Sequence, residues 1–179
     1  MASATEYEER IQRFDHAETM RLWEAIQAGD TPHWDSGKAF EYMILRAFQL
    51  EGAQIEWPYS VRDDDGLELE QIDGAIFSQG IHYLVEAKDY RKPLNVGPIA
   101  KLRNQLWRRP ALAIGIVFSR SGFTSAASTL AGYVAPQTIL LWDGVDIDLS
   151  LKKQAMVDGL KRKYRYAITH GFPDLNLSQ

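Results

Sequence analysis

Residues 71–88 read Gln71-Ile72-Asp73-Gly74-Ala75-Ile76-Phe77-Ser78-Gln79-Gly80-Ile81-His82-Tyr83-Leu84-Val85-Glu86-Ala87-Lys88. Two extended runs flank a Ser78-Gln79-Gly80 turn, and the second is rich in β-branched and aromatic residues, so the stretch predicts a hairpin. Glu86 and Lys88 stand two apart on the second strand and leave the same face, with backbones about 6.5–7 Å apart. Asp73 lies on the partner strand thirteen residues before Glu86, and a hairpin of this length brings the two carboxylates side by side. Glu86 and Lys88 interrupt neighbours (Ile81, Tyr83, Leu84, Val85) that read as buried, and buried charge is costly unless paired or bound to metal.

Outward from the hairpin, residues 55–61 predict a strand, Asp63-Asp64-Asp65-Gly66 an acidic turn, and residues 67–77 the strand carrying Asp73, the set pairing as a meander with residues 81–88. Residues 96–107 read as a helix closed by Pro110. Residues 111–118 form an almost continuous apolar run typical of a strand buried on both faces. A short helix over 123–130 stopping near Gly132, a strand over 138–142 ended by Asp143-Gly144, and a basic helix over 151–167 complete the pattern. Upstream, Tyr7, Ile11, Phe14, Leu22 and Ile26 share one helical face, which predicts an amphipathic helix or helix pair ending near Gly29. Glu18 on that face marks a break between two helices or a polar edge. A second helix, capped by Asp35 or Ser36 and ended by Gly52, carries Phe40, Met43, Ile44, Ala47 and Phe48, with Glu41 at the margin of the stripe. Helices alternating with strands around a mixed sheet make the fold class α/β. No repeat or linker marks a boundary, so residues 1–179 read as a single domain with an N-terminal helical extension over 1–30 and a C-terminal basic helix over 150–170.

With 45% hydrophobic and 11% aromatic residues the chain can build a substantial core. No apolar run approaches the roughly 18 residues that span a bilayer, and no signal-peptide pattern opens the chain, so a cytoplasmic protein without a membrane partner is expected. The absence of cysteine excludes disulfides, thiolate zinc sites and cysteine nucleophiles, and His16, His33, His82 and His170 fall into no ligand spacing. The net charge of −4 conceals an asymmetry. Residues 1–89 hold 19 acids against 7 Lys and Arg, whereas residues 91–142 hold no acid and seven bases: Arg91, Lys92, Lys101, Arg103, Arg108, Arg109 and Arg120. Residues 152–165 add six bases against Asp158 alone. An acidic half facing solvent or a metal, joined to a basic half, suits a phosphate-backbone partner; the alternative is a set of solvated faces.

Asp73 and Glu86 would give two hard oxygen ligands for Mg²⁺ or Mn²⁺, with the Ala87 carbonyl as a third. Phosphodiester hydrolysis needs this grouping, because a divalent ion neutralises charge on the phosphorane, positions water and lowers its pKa. Lys88 would orient the nucleophile and stabilise developing charge. The competing reading is a surface Glu86–Lys88 pair on an edge strand. Asp63, Asp64 and Asp65 compete with Asp73 as ligands, yet such a run is more simply a solvated turn. Ser150-Leu151-Lys152-Lys153 matches SxxK without any accompanying signature. Gly37-Lys38 lacks the upstream glycine of a P-loop and no GxGxxG occurs, so no nucleotide cofactor is implied. The tryptophans read as core and boundary residues, with Trp107, beside Arg108 and Arg109, also suited to stacking on bases.

Taken in order, Gly37-x-x-x-Glu41 on a helix, Ile72-Asp73-Gly74, Val85-Glu86-Ala87-Lys88, a basic helix, Ile114-Gly115-Ile116-Val117-Phe118-Ser119-Arg120-Ser121-Gly122-Phe123-Thr124 and Leu140-Leu141-Trp142-Asp143-Gly144 resemble the Mrr-like branch of the PD-(D/E)XK nucleases. The similarity covers about residues 36–148, the expected nuclease core. It implies a restriction-endonuclease-like central mixed sheet flanked by helices, DNA as substrate and Mg²⁺ as cofactor, with Mn²⁺ as substitute. Carried over, Asp73, Glu86 and Glu41 would be metal-binding carboxylates, Glu41 reaching the ion from its helix, and Lys88 the water-orienting base. Gln105 is similar to a glutamine that related nucleases place near the site, although the tyrosine that often follows it is missing. Ile72 stands where the family name has proline, and many Mrr-like members carry glutamine at the position of Glu86. Arg91, Lys92, Lys101, Arg108 and Arg120 would form a DNA-binding rim. The expected activity is DNA cleavage in restriction or anti-phage defence. A silent nucleic-acid or protein binding module, and a junction-resolving nuclease acting as a homodimer, are the alternatives.

Overall fold

The computed structural model describes residues 3–133 and 137–179; Met1 and Ala2, at the head of the expected N-terminal extension, lie outside the described residues. The chain breaks twice where the sequence reads one continuous strand. Trp57-Pro58 divides β1 (Gln54–Glu56) from β2 (Tyr59–Arg62), since proline offers no amide to a ladder. Asp73-Gly74 divides β3 (Glu68–Ile72) from β4 (Ala75–Ser78). Gly74 sits at φ +140°, and a Cβ there would lie 2.6 Å from Leu45 Cδ1 and 2.9 Å from the Glu56 carbonyl oxygen. Only glycine fits this turn, which redirects the chain immediately after Asp73.

The meander survives these breaks but splits between two sheets. β2 and β3 pair as a separate antiparallel ribbon, while β1, β4, β5 (Ile81–Lys88), β6 (Ala113–Ser119) and β7 (Ile139–Trp142) lie side by side in that order. β1–β4 and β4–β5 are antiparallel, and β5–β6 and β6–β7 are parallel, so the sheet is mixed.

The N-terminal segment is a helix pair, α1 (Ala4–Ile11) and α2 (His16–Ala28). Glu18 is explained by its neighbour: Asp15 caps α2 and Glu18 in return accepts a hydrogen bond from the Asp15 amide, a reciprocal capping box. α3 (Lys38–Leu50) starts after Gly37 with no side-chain cap, so neither Asp35 nor Ser36 serves as expected. α4 (Val96–Leu106) and α5 (Ser125–Gly132) form the crossovers of the parallel strands. The expected single basic helix is two, α6 (Gly144–Lys153) and α7 (Met156–His170). Gln154 takes a left-handed conformation at φ +50° that ends α6.

Helices cover both faces of the sheet. On one face Phe40, Ile44 and Phe48 of α3 meet Ile116, Phe118, Leu140 and Trp142, and this cluster includes Tyr7, Ile11 and Trp23 from the N-terminal pair and Leu160 and Leu177 from the C-terminal segment. The Phe118 and Trp142 rings lie 5.4 Å apart at their centroids; truncating either to alanine would cost about 3–5 kcal/mol. On the other face Leu84, Val117 and Leu141 meet Ile99, Leu102 and Leu106 of α4. Gly115 permits that approach, because a Cβ there would stand 2.8 Å from Leu102 Cδ2. The basic C-terminal segment is partly structural: Lys163, fully buried, pairs with Asp146 at 2.6 Å, and Asp146 accepts the Leu177 amide at 2.7 Å. Burial depresses the Lys163 pKa against the pull of Asp146. No helix among the described residues is long and apolar enough to cross a membrane.

Candidate active site

The site forms where the β4–β5 ladder ends. The Val85 amide donates to the Gly74 carbonyl at 2.9 Å. Beyond it the turn at Gly74 places a side chain instead, and the Ala87 amide donates to Asp73 Oδ2 at 2.9 Å. Lys88 Nζ lies 2.7 Å from the same Oδ2, 2.8 Å from Glu86 Oε1 and 3.0 Å from the Ala87 carbonyl oxygen. The three oxygens read from the sequence as cation ligands therefore converge on one ammonium nitrogen. Glu86 is fully buried and Asp73 nearly so. From α4, Lys101 Nζ reaches the other Glu86 oxygen, Oε2, at 2.7 Å.

The electrostatics follow from that burial. For Lys88, desolvation is the largest single influence and favours the neutral amine, but the charges of Asp73 and Glu86 and their hydrogen bonds outweigh it and push the pKa up. Glu41 shifts the other way in charge: burial, then repulsion from Asp73, raises its carboxyl above the ordinary range despite Lys38 at 2.5 Å.

Glu41 is thus near Asp73 but does not join it around one point. Among the described residues no three His, Asp or Glu side chains gather closely enough to hold a metal ion. The donor set that converges is two carboxylates and a main-chain carbonyl, with Glu41 drawn aside by Lys38. This set still suits a hard divalent cation of the Mg²⁺ type, which takes one or two carboxylates and completes its shell with water and substrate oxygens. Gln105 is buried and donates to the Gln71 carbonyl at 3.1 Å, tying α4 to β3, while its Oε1 has no hydrogen-bond partner among the described residues. Asp63 is occupied in its own turn, accepting the Asp65 and Leu67 amides.

Besides Lys101, which lies on Glu86, the bases expected on the rim divide into three groups. Arg91 and Lys92 are exposed. Arg108 and Arg109 both bind Glu70, a buried β3 carboxylate, and Arg120 pairs with Asp89. Burial alone would raise the Glu70 pKa, but the two guanidinium groups overcome it and lower the value. Trp107 is 62% exposed with the Arg103 guanidinium 5.4 Å from its ring centroid, the most open of the tryptophans. The sequence reading missed the Glu70 cluster and the placement of Lys101 on Glu86. The signal for Glu70 was its parity with Ile72, which turns both towards α4; the signal for Lys101 was the parallel crossover, which lays α4 across β5.

The Mrr_cat family model, described as restriction endonuclease, matches residues 35–150. Comparison with curated proteins gives no match. Among solved structures, the small subunit of the heterodimeric restriction endonuclease R.BspD6I is similar at a TM-score of 0.54 and 16% identity, over 86% of this chain and 87% of that one. The likeness is one of fold. The DNA modification-dependent restriction endonuclease AspBHI aligns at a TM-score of 0.47 and 16% identity, over 93% of this chain and 43% of its own length. The MspJI restriction endonuclease, solved in complex with a 27-mer oligonucleotide, aligns at 0.44 and 17%, over 98% of this chain and 40% of its own. This chain thus spans less than half the length of those two enzymes. The mixed sheet with helices on both faces agrees with a restriction-endonuclease-like fold, and the family match covers most of the chain, including α3, the hairpin and both parallel crossovers. The chain belongs to the Mrr catalytic family of restriction endonucleases.

Proposed function

We propose that the chain is a divalent-metal-dependent endonuclease that hydrolyses DNA phosphodiester bonds, with Asp73, Glu86 and Lys88 at its centre and Mg²⁺, or Mn²⁺ in its place, as cofactor. The observation that carries this reading is the convergence of Asp73 Oδ2, Glu86 Oε1 and the Ala87 carbonyl oxygen within 3.0 Å of Lys88 Nζ. Three oxygens around a cationic nitrogen form a cradle of the right charge and hardness for a divalent ion. Asp73, Glu86 and the Ala87 carbonyl would hold it, and Glu41 would lie beside it to receive hydrogen bonds from coordinated water. When bound, such an ion neutralises phosphate charge and supplies water of lowered pKa.

The remaining chemistry belongs to the side chains. Lys88, freed from the three oxygens but tethered to the same strand, would donate to the attacking water and to a phosphate oxygen. In the metal-free arrangement, the charges of Asp73 and Glu86 outweigh burial and hold Lys88 protonated. Burial of Glu86 keeps bulk water from competing for the site and strengthens each interaction within it. Arg91 and Lys92, exposed just beyond β5, would meet the flanking phosphates. A restriction or anti-phage role is the biological setting that the family suggests.

Purified protein should be assayed against linear, circular, branched and modified DNA, with RNA as control, in Mg²⁺ and in chelator. The reading predicts cleavage of at least one DNA form that disappears in chelator and in Asp73→Asn. Binding without cleavage of every form would make the chain a silent module, and preferred cleavage of the branched form would make it a junction-resolving enzyme.

A further inference from the structure

We infer that Lys101 is a second functional ammonium of this site, held on Glu86 until a divalent cation takes up that carboxylate and then free to bind the scissile phosphate; the inference rests on the nuclease reading above. Glu86 is the only one of the two central carboxylates with an ammonium on each oxygen, Lys88 on Oε1 at 2.8 Å and Lys101 on Oε2 at 2.7 Å. The two lysines are not equivalent. Lys88 contacts three oxygens and its side chain is 19% exposed, whereas Lys101 has one ion-pair partner among the described residues, Glu86, and its side chain is 43% exposed. Lys88 meets Glu86 from within the protein, and Lys101 meets the same carboxylate from the solvent side.

This asymmetry decides what happens when a cation enters. Asp73 and Glu86 carry two negative charges and Lys88 and Lys101 two positive ones, so the site as built is neutral. A divalent ion on Asp73 and Glu86 would leave an excess of two positive charges and would repel both ammoniums at contact distance. Lys88 would yield the three oxygens to the ion but stay tethered beside them on β5, whereas Lys101 has one ion-pair contact to lose and a half-exposed side chain along which to move. A phosphodiester approaches from solvent, the side on which Lys101 stands, and cancels one of those two charges. Lys101 therefore competes with the cation before substrate arrives and cooperates with it afterwards, which couples metal retention to the presence of DNA.

A lysine serving only as a structural counter-ion of Glu86 would behave differently. Its removal would leave a buried carboxylate underpaired and would not favour the cation while slowing the reaction. The full-length chain should be compared with Lys101→Met, which keeps the apolar stem, and with Lys101→Arg. Mn²⁺ affinity without DNA is read by titration calorimetry, DNA cleavage by kcat and KM at saturating Mg²⁺, and folding by melting temperature. Removing the competing charge should tighten Mn²⁺ binding by about tenfold or more, the worth of one hydrogen bond to a charged group. Lys101→Met should also cleave at least about tenfold more slowly, the loss of one phosphate-stabilising donor, and Lys101→Arg should recover part of the rate. If Lys101→Met melts well below wild type, Lys101→Gln, which keeps a donor to Glu86, replaces it under the same expectations. A wild type whose Mn²⁺ affinity is indifferent to Asp73→Asn defeats the nuclease reading and this inference with it. A wild type that binds Mn²⁺ through Asp73, while the uncharged variants at 101 bind it no more tightly or cleave at the wild-type rate, defeats the inference alone.

Discussion

Asp73 accepts the main-chain amide of Ala87 at 2.9 Å, where an uninterrupted β ladder would supply a carbonyl. The carboxylate is therefore both a structural acceptor and a candidate ligand, and substitutions can separate the roles. Asp73→Asn retains an oxygen for the Ala87 amide and should fold normally without cleaving DNA. Asp73→Ala leaves that amide and Lys88 short of a partner and should lose about 1–3 kcal/mol in urea unfolding. Equal stability of the two variants would show that the amide contact contributes nothing.

Lys88 is a counter-ion to two buried carboxylates as well as a proposed donor in catalysis. Lys88→Met should abolish cleavage and, in chelator, cost on the order of 3–5 kcal/mol, as expected when one partner of a buried charge group is removed. Mg²⁺ should restore much of that loss by taking over the same oxygens. Melting curves in chelator and in Mg²⁺ that superimpose for this variant would count against a cation site between Asp73 and Glu86.

Glu41 and Glu70 should shape acid stability in opposite senses. Glu41 has its folded pKa raised by burial and by Asp73, so its charge costs stability above that raised pKa, and the cost vanishes as pH falls below the unfolded value of 4.5. Glu41→Gln should accordingly stabilise the metal-free protein near neutrality and lose that advantage on acidification. Glu70 has its folded pKa lowered by Arg109 and Arg108 against the effect of burial. Its contribution is present above the unfolded value of 4.5 and is lost as pH falls through the lower folded value. Glu70→Gln should therefore be less stable than wild type at neutral pH, with the gap closing in acid. Unfolding free energies measured across the acid range test both signs.

DNA binding should rest on the bases that are not already committed to protein carboxylates. Charge reversal of Arg91 and Lys92, both exposed, should weaken binding without shifting the melting temperature. Arg109, with its side chain largely buried against Glu70, should instead cost stability when replaced by alanine. Wild-type affinity should fall about tenfold or more between 50 and 200 mM salt if several phosphates are contacted. Salt-independent binding would remove the phosphate backbone as the main contact.

The hairpin and its charged face were legible because strand parity is strict: Glu86 and Lys88 must share a face, and the apolar neighbours show that the face is buried. The β5–α4–β6 crossover was legible for a similar reason, since residues 111–118 are too continuously apolar for an exposed strand. What periodicity does not report is a change of sheet within one extended run. The breaks at Trp57-Pro58 and Asp73-Gly74 depend on tertiary packing, in the second case on Leu45 and the Glu56 carbonyl excluding any Cβ at Gly74. The break between α6 and α7 was hidden because Gln154, a good helix former, adopts a left-handed conformation there. At the site, charge type was readable and charge pairing was not. Lys101 and Arg108 read as members of one DNA-binding rim, yet one binds Glu86 and the other, beyond the end of α4, binds Glu70.

The most direct test of the central claim is the anomalous scattering from a crystal of the protein soaked in Mn²⁺. The account predicts a peak bonded at about 2.0–2.6 Å by the Asp73 and Glu86 carboxylates and the Ala87 carbonyl, the range for hard divalent ions, with the Lys88 ammonium displaced from its position between them. A protein that cleaves DNA in Mn²⁺ while its crystal shows the ion elsewhere, and Lys88 still in contact with all three oxygens, would contradict it.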